Sequence, residues 1–229
     1  MFKIRIADLN IGIDNKYPYV EELCADYFTD GETNFDVCVT DAEIAAESGG
    51  EISEPAYLES LAVYRKISDR ITDYNGFLMH GVVLAVDGKG YAFTAPSGTG
   101  KTTHAMFWRE LFGDKCVIVN GDKPLIRLKG GRCFAYGTPW CGKEGLNANT
   151  KVPLDVMFCI NRSEENYVME LSPKSALVRL LTAVYRPSEP ALFEKTTEYV
   201  MMFLKNVRTY DLYCNMSVEA ARVAYEHCK

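Results

Sequence analysis

Long apolar runs are missing from this chain: its longest, such as Val200 to Leu204, fall far short of the roughly 20 residues that cross a bilayer. Runs of basic residues are missing too. Acids outnumber bases 31 to 25 and the net charge is −6, so neither a membrane partner nor a nucleic-acid partner held by phosphate neutralisation is expected. No C-x-x-C pair occurs among the 8 cysteines, and Cys133, Cys141, Cys159 and Cys214 lie too far apart for a zinc ribbon. No low-complexity segment or internal repeat is found. What is present is ordinary for a globular protein: 229 residues, 48% hydrophobic and 24% charged, which provides for a sizeable core and excludes a disordered chain. Met1 to Asp14 alternates apolar and polar residues and reads as a strand, not as a signal peptide. The expectation is a cytoplasmic protein with free thiols, in which the sequons at Asn161 and Asn215 are coincidental.

The first 75 residues predict a strand at Phe2 to Ala7, an amphipathic helix near Tyr19 to Tyr27 and a strand at Phe35 to Thr40. A linker rich in Gly, Ser and Glu, Glu47 to Ser53, precedes a helix opened by Pro55. That helix runs to about Ile71, with Tyr57, Leu61, Tyr64, Ile67 and Ile71 on one stripe. Three hairpins follow. Val82–Val86 and Tyr91–Thr94 are joined through Asp87-Gly88-Lys89-Gly90, and Leu125–Leu128 and Cys133–Tyr136 around Gly130-Gly131. Val156–Ile160 and Tyr167–Leu171 make the third. Helices at Pro173 to about Tyr185 and Ser188 to about Leu204, a strand at Thr209 to Tyr213 and a helix from Ser217 complete the chain. The expected fold class is α/β, with a mixed, largely antiparallel, hairpin-built sheet around a phosphate loop. Residues 1–75 form an N-terminal segment packed on the core, 76–229, in one compact unit.

The sharpest signal is Ala95-Pro96-Ser97-Gly98-Thr99-Gly100-Lys101-Thr102, between an apolar strand and a helical stretch. It is the P-loop pattern with Ala95 in place of the first glycine. Gly98 and Gly100 let the backbone turn its N–H groups inward around an anion, at the positive end of a helix. Ser97, Gly98, Thr99, Gly100, Lys101, Thr102 and Thr103 are the candidate nucleotide-binding residues. Lys101 reaches the β- and γ-phosphates, and Thr102 is a candidate Mg²⁺ ligand.

Phosphoryl transfer also needs a carboxylate. The apolar strand Cys116 to Val119 ends in Asn120-Gly121-Asp122-Lys123-Pro124, which puts Asp122 at the carboxyl end of a strand expected beside the P-loop strand. Asp122 is the candidate metal ligand and acceptor of the attacking hydroxyl's proton. His80 either faces this site and tunes the acid or is a hydrogen-bonded structural histidine; His104 and His227 have no partner by spacing. Gly137 to Thr150 is rich in glycine and asparagine, like loops that close over phosphates. Within it Lys143 is a candidate contact to the transferred group, with Glu144 and Asn147 candidates to orient substrate. The bland alternative is a compact loop packed on Trp140. Cys141 reads as a plain thiol. Arg186, at a helix end, either clamps phosphate or answers the helix dipole.

The hairpin feeding straight into the loop, together with Met79-His80-Gly81-Val82 before it and Asp122 after it, resembles the HPr kinase/phosphorylase family. That family has a V-H-G-V strand start, a G-x-S-G-x-G-K-S loop and an acidic pair ending the next strand. Ser97 to Thr102 is also similar to the loop of phosphoenolpyruvate carboxykinase, and Gly137 to Lys143 resembles uncharacterised HPr-kinase-like proteins predicted to act on serine. The match covers about Phe77 to Leu128. It departs at Gly121, where the family has its first acid, and does not extend to residues 1–75. The resemblance implies an ATP- and Mg²⁺-dependent kinase that moves the γ-phosphate to a hydroxyl of an unidentified acceptor: a small molecule, peptide or protein. The reverse, phosphate-dependent dephosphorylation, would use the same groups. The alternative is a nucleotide-binding regulatory protein whose site has lost turnover. The oligomeric state stays open, a homo-oligomer included.

Overall fold

The computed structural model of the protein describes residues 1–50 and 53–229; the expected linker, 47–53, lies partly outside them. The alternating N-terminus forms two strands, β1 (Phe2–Ile6) and β2 (Leu9–Asp14), paired antiparallel. They meet at Ala7 and Asp8, both left-handed at φ 53° and 58°. No glycine marks that turn, so the sequence reads as one strand. β3 (Phe35–Cys38) adds parallel to β2. Helices α1 (Pro18–Leu23), α2 (Asp41–Ala46) and α3 (Pro55–Arg70) accompany this sheet. Thr40 and Glu43 close a capping box on α2, and Pro55 starts α3 where its missing N–H costs nothing. The fully buried Glu59 of α3 accepts from the backbone N–H groups of Lys16 and Tyr17 at 2.5 and 3.0 Å, which fixes the entry to α1. The apolar face of α3 keeps most of the expected stripe and widens it: Tyr64, Ile67 and Ile71 are buried as expected, Leu58 and Val63 join them, and Tyr57 is 45% exposed. α3 packs against the small sheet on one side and borders a cleft on the other.

The main sheet comprises β4 (Gly76–Leu78), β5 (Val82–Val86), β6 (Lys89–Thr94), β7 (Cys116–Asn120), β8 (Leu125–Lys129), β9 (Arg132–Tyr136), β10 (Lys151–Arg162), β11 (Tyr167–Glu170) and β12 (Arg208–Cys214). Its order is β4-β8-β9-β10-β6-β5-β7, with β12 pairing β10 and β11. β10 runs parallel to β6 and β12, and every other pair is antiparallel. The fold is thus mixed α/β with a largely antiparallel sheet.

Two expectations of strand adjacency are corrected. β10 and β11 are not a hairpin, because β12 inserts between them. Nor is β7 beside β6: β5 lies between the two, antiparallel to both, so β6 and β7 end at the same edge of the sheet. Helices α4 (Lys101–Phe112) and α7 (Val218–His227) contribute to one apolar cluster with Phe93 and Phe158, while α5 (Pro173–Ala183) and α6 (Pro190–Asn206) belong to another with Phe77 and Met157. The N-terminal cluster takes in Leu78, Leu125, Tyr136 and Trp140 from the main sheet and its loops. All eight cysteines are free, with only Cys38 exposed. No helix among the described residues is long and apolar enough to cross a membrane.

Candidate functional site

Strand β6 ends at Thr94, the chain turns through residues 95–100, and α4 starts at Lys101. The turn depends on Gly100, at φ 115° in the left-handed region, where a side chain would be strained. Within the loop the Thr99 N–H donates to the Pro96 carbonyl at 3.3 Å, while the N–H groups of Gly98, Gly100, Lys101 and Thr102 have no backbone acceptor among the described residues. Free donors at the first turn of a twelve-residue helix form a positive concavity. The Lys101 side chain, 8% exposed, folds back across the loop and donates to the Ala95 and Pro96 carbonyls at 2.9 and 3.5 Å. Burial holds its amine below the ordinary lysine range, opposed by the charge of Asp122.

Asp122 follows β7 in a turn organised by Asn120. The fully buried Asn120 accepts from the N–H groups of Asp122 and Lys123 at 2.9 and 2.7 Å through its side-chain oxygen, and donates to Thr138. This side-chain-to-backbone turn is what an Asn-Gly-Asp sequence favours. The carboxylate of Asp122 meets His80 Nε2 at 3.1 Å and Lys123 Nζ at 3.4 Å, one on each oxygen. Burial pushes the Asp122 carboxyl up, but the His80 hydrogen bond and the Lys123 charge outweigh it, and its pKa falls below the usual carboxylate value. At position 121 a Cβ would stand 3.0 Å from the Cys141 carbonyl and 3.1 Å from that of Leu146. A side chain here would require the 141–146 backbone to give by a few tenths of an ångström, and with glycine in place Asp122 stands alone.

Loop and carboxylate face one cleft of about 770 Å³. Ser97, Gly98, Gly100, Lys101, Thr102 and Thr103 line it on one side and His80, Asp122 and Lys123 on another. Thr99 turns to neighbouring hollows instead. Lys143 and Glu144, both exposed, sit at its margin. The remaining candidates are placed elsewhere. Asn147 donates to the Tyr27 hydroxyl and the Thr138 carbonyl at 3.1 and 2.9 Å, so it braces the loop, and it is not a lining residue of the cleft. Arg186 is not a lining residue of the cleft; it donates to the Leu181 carbonyl at 3.1 Å and caps the end of α5. Trp140 stacks on Tyr64 at 4.2 Å and donates to the Ser60 carbonyl at 3.0 Å, anchoring the glycine-rich loop as the bland reading has it. Burial raises the Cys141 thiol pKa, which disfavours the thiolate at neutral pH.

Part of the cleft's wall comes from the N-terminal segment: Tyr19 and Leu23 of α1, Tyr57 and Leu61 of α3. Sequence reading gave these residues only a packing role; the partial exposure of Tyr19 and Tyr57, 38% and 45%, is a property of the fold. Arg162 was also missed. At the end of β10 it donates to the carbonyls of Gly98 and Thr99 and braces the loop. His104 has a partner that sequence reading overlooked: Trp108 Nε1, four residues along α4, donates to His104 Nε2 at 3.0 Å. That i, i+4 pair was visible in the sequence. Burial drives the His104 imidazole down to about 3.

No protein-family model matches the chain, and no curated protein is significantly similar to it. Among solved structures, it is similar to the HPr(Ser) kinase/phosphatase from Coxiella burnetii, with 11% identity, 66% of this chain and 95% of that chain covered, and a TM-score of 0.39. So faint a likeness carries no argument, and the site stands on its own residues.

Proposed function

We propose that this protein is an ATP-dependent phosphotransferase that moves the γ-phosphate to a hydroxyl on a small molecule, peptide or protein, serine among the candidates. The observation that carries this reading is the meeting of Lys101 and the unpaired loop N–H groups with an ionised Asp122 in one cleft. The loop amides and Lys101 hold the phosphates, and the Lys101 amine exchanges two loop carbonyls for phosphate oxygens. Asp122, oriented by His80, takes the proton of the attacking hydroxyl. The acceptor lies against Tyr19 and Tyr57 in the same cleft.

Among the described residues no cluster of three or more His, Cys, Asp or Glu side chains could hold a metal unaided. Thr102 and Asp122 line the same cleft and fit Mg²⁺ in its usual nucleotide setting, where phosphates and water supply most ligands. When bound, the ion would neutralise charge on the phosphates.

The test is phosphoryl transfer from γ-labelled ATP to serine, serine peptides and a small-molecule panel, with isothermal titration of ATP alongside. Asp122→Asn is expected to abolish transfer while the affinity for ATP without Mg²⁺ stays within about threefold, as a group acting mainly on the acceptor and the metal should. Glycine at position 121 leaves Asp122 as the single carboxylate of its turn, which favours a second reading, a nucleotide-binding regulatory protein. A wild-type chain that binds ATP tightly and transfers to no acceptor would establish that reading instead.

A further inference from the structure

The first turn of α4 borders a second hollow, of about 280 Å³, which shares Gly100 with the cleft. Phosphoryl transfer as proposed above makes no use of it. Its walls are chiefly apolar: Phe107 from α4, Ile160 from β10, and Cys214 and Met216 at and after the end of β12. The Met216 sulfur lies over Gly100, 3.7 Å from where a Cβ would stand. The rim is held in place. Arg162 ties β10 to the loop at Gly98 and Thr99, the Asn215 N–H donates to Asn166 Oδ1 at 2.9 Å, and Ser217 Oγ donates to Asn215 Oδ1 at 2.6 Å.

His104 also lines this hollow and is only 3% exposed. Its Nε2 accepts the Trp108 indole N–H, so the neutral ring carries its own hydrogen on Nδ1. That Nδ1 has no partner in the protein; among the described residues it is one of two buried side-chain polar atoms left so, the other being Asp69 Oδ1. A buried donor without an acceptor is destabilising; Nδ1 has almost no accessible surface of its own, so an acceptor in the hollow would relieve it after a shift of the His104 ring toward it.

We propose that this hollow receives the adenine base of the nucleotide, with a ring nitrogen accepting from His104 Nδ1–H and the ring faces against Phe107 and Met216. Shape and chemistry agree. The hollow adjoins the loop that would hold the phosphates, its walls suit a flat aromatic ring, and a thioether makes favourable contacts with such rings. Unprotonated ring nitrogens of adenine match a lone N–H donor. The assignment rests on the nucleotide reading above and adds to it the source of base affinity.

Titration of the full chain with Mg·ATP and with Mg·tripolyphosphate, which has the phosphates and no base, separates the two. ATP is expected to bind about tenfold or more tighter than tripolyphosphate, the scale of one stacked base. Met216→Ala, at a 67% exposed position where the fold is not at stake, should weaken ATP by about threefold to tenfold and leave tripolyphosphate unchanged. His104→Phe, which keeps an aromatic ring in place, should do the same in protein whose circular dichroism matches wild type. Equal affinity for the two ligands in wild type, or variants that bind ATP as wild type does, would overturn the base site and leave the phosphate loop standing. Binding of neither ligand would overturn both.

Discussion

A carboxylate that is to take a proton from a hydroxyl must be ionised beforehand and pointed at its target. Asp122 meets the first condition because its hydrogen bond from His80 and the charge of Lys123 outweigh the burial that would protonate it, and the second because Asn120 fixes the turn beneath it. In the proposed reaction His80 is a positioning residue. His80→Gln is expected to lower kcat about a hundredfold, the low end of what positioned acid–base catalysis contributes, with ATP affinity unchanged by titration. A fall in ATP affinity with kcat intact would assign His80 to nucleotide binding. Lys101 behaves in the opposite way. Its amine is desolvated and held on two carbonyl oxygens, ready to be drawn to phosphate. Lys101→Met keeps the apolar stem in its 8% exposed site and should weaken ATP by about tenfold or more, the worth of one charge-assisted contact. Unchanged ATP affinity would remove the phosphate-loop argument altogether.

Among the elements, the turn between β1 and β2 does more than reverse the chain. Asp8 reaches from it to Lys151 Nζ at 2.8 Å and the Tyr136 hydroxyl at 3.0 Å, clamping the small sheet to β9 and β10. Burial pushes its carboxyl up, yet the bonds from Lys151 and Tyr136 prevail and leave its pKa below the ordinary 3.8. A carboxyl depressed in the folded state contributes stability that is complete above its unfolded pKa and lost as pH falls through the folded one. Asp8→Asn tolerates the left-handed turn and should cost about 1 kcal/mol at pH 7 in urea unfolding. That gap should close below the 3.8 of an ordinary carboxyl, and a gap of constant size down to pH 3 would exclude the carboxylate as its source. The same elements show what a sequence displays. Hairpins closed by Asp87-Gly88 and Gly130-Gly131 were legible because left-handed turn residues are local signals, all four of these residues having positive φ. The turn at Ala7 and Asp8 carries no such mark. The insertion of β12 beside β10 joins residues about fifty apart, Cys159 with Asp211, and no local pattern encodes it. The loop and Asp122 were legible for the same reason as the hairpins, whereas the contact between His80 and Asp122 needs the whole sheet to form.

In the molecule as a whole, the cleft exists only where the N-terminal segment meets the main sheet. Tyr19 and Tyr57 line it together with the loop and Asp122, and the two parts also share a core. Leu78, Leu125, Tyr136 and Trp140 are at most 9% exposed and pack in the cluster built largely from residues 1–75. Each large apolar side chain returned to water costs roughly 1.5–3 kcal/mol, so exposing these four puts at risk a free energy comparable to the net stability of a typical domain. Trp140 would lose its stacking on Tyr64 and its bond to the Ser60 carbonyl, and with them the anchor of the glycine-rich loop beside Asp122. A fragment spanning residues 76–229 is therefore expected to lack a cooperative thermal transition, to bind a hydrophobic dye and to lose ATP affinity. The full chain should melt in one step with coincident near- and far-ultraviolet circular dichroism. Two resolved transitions in the full chain, together with a folded fragment that binds ATP, would mean that the segment is an independent unit and that the phosphate loop needs no help from it. In the single-unit case the wall carrying Tyr19 and Tyr57 and the loop at 95–100 form together in one folding transition, and a destabilising change on α1 or α3 reaches the proposed chemistry through Trp140 and its loop.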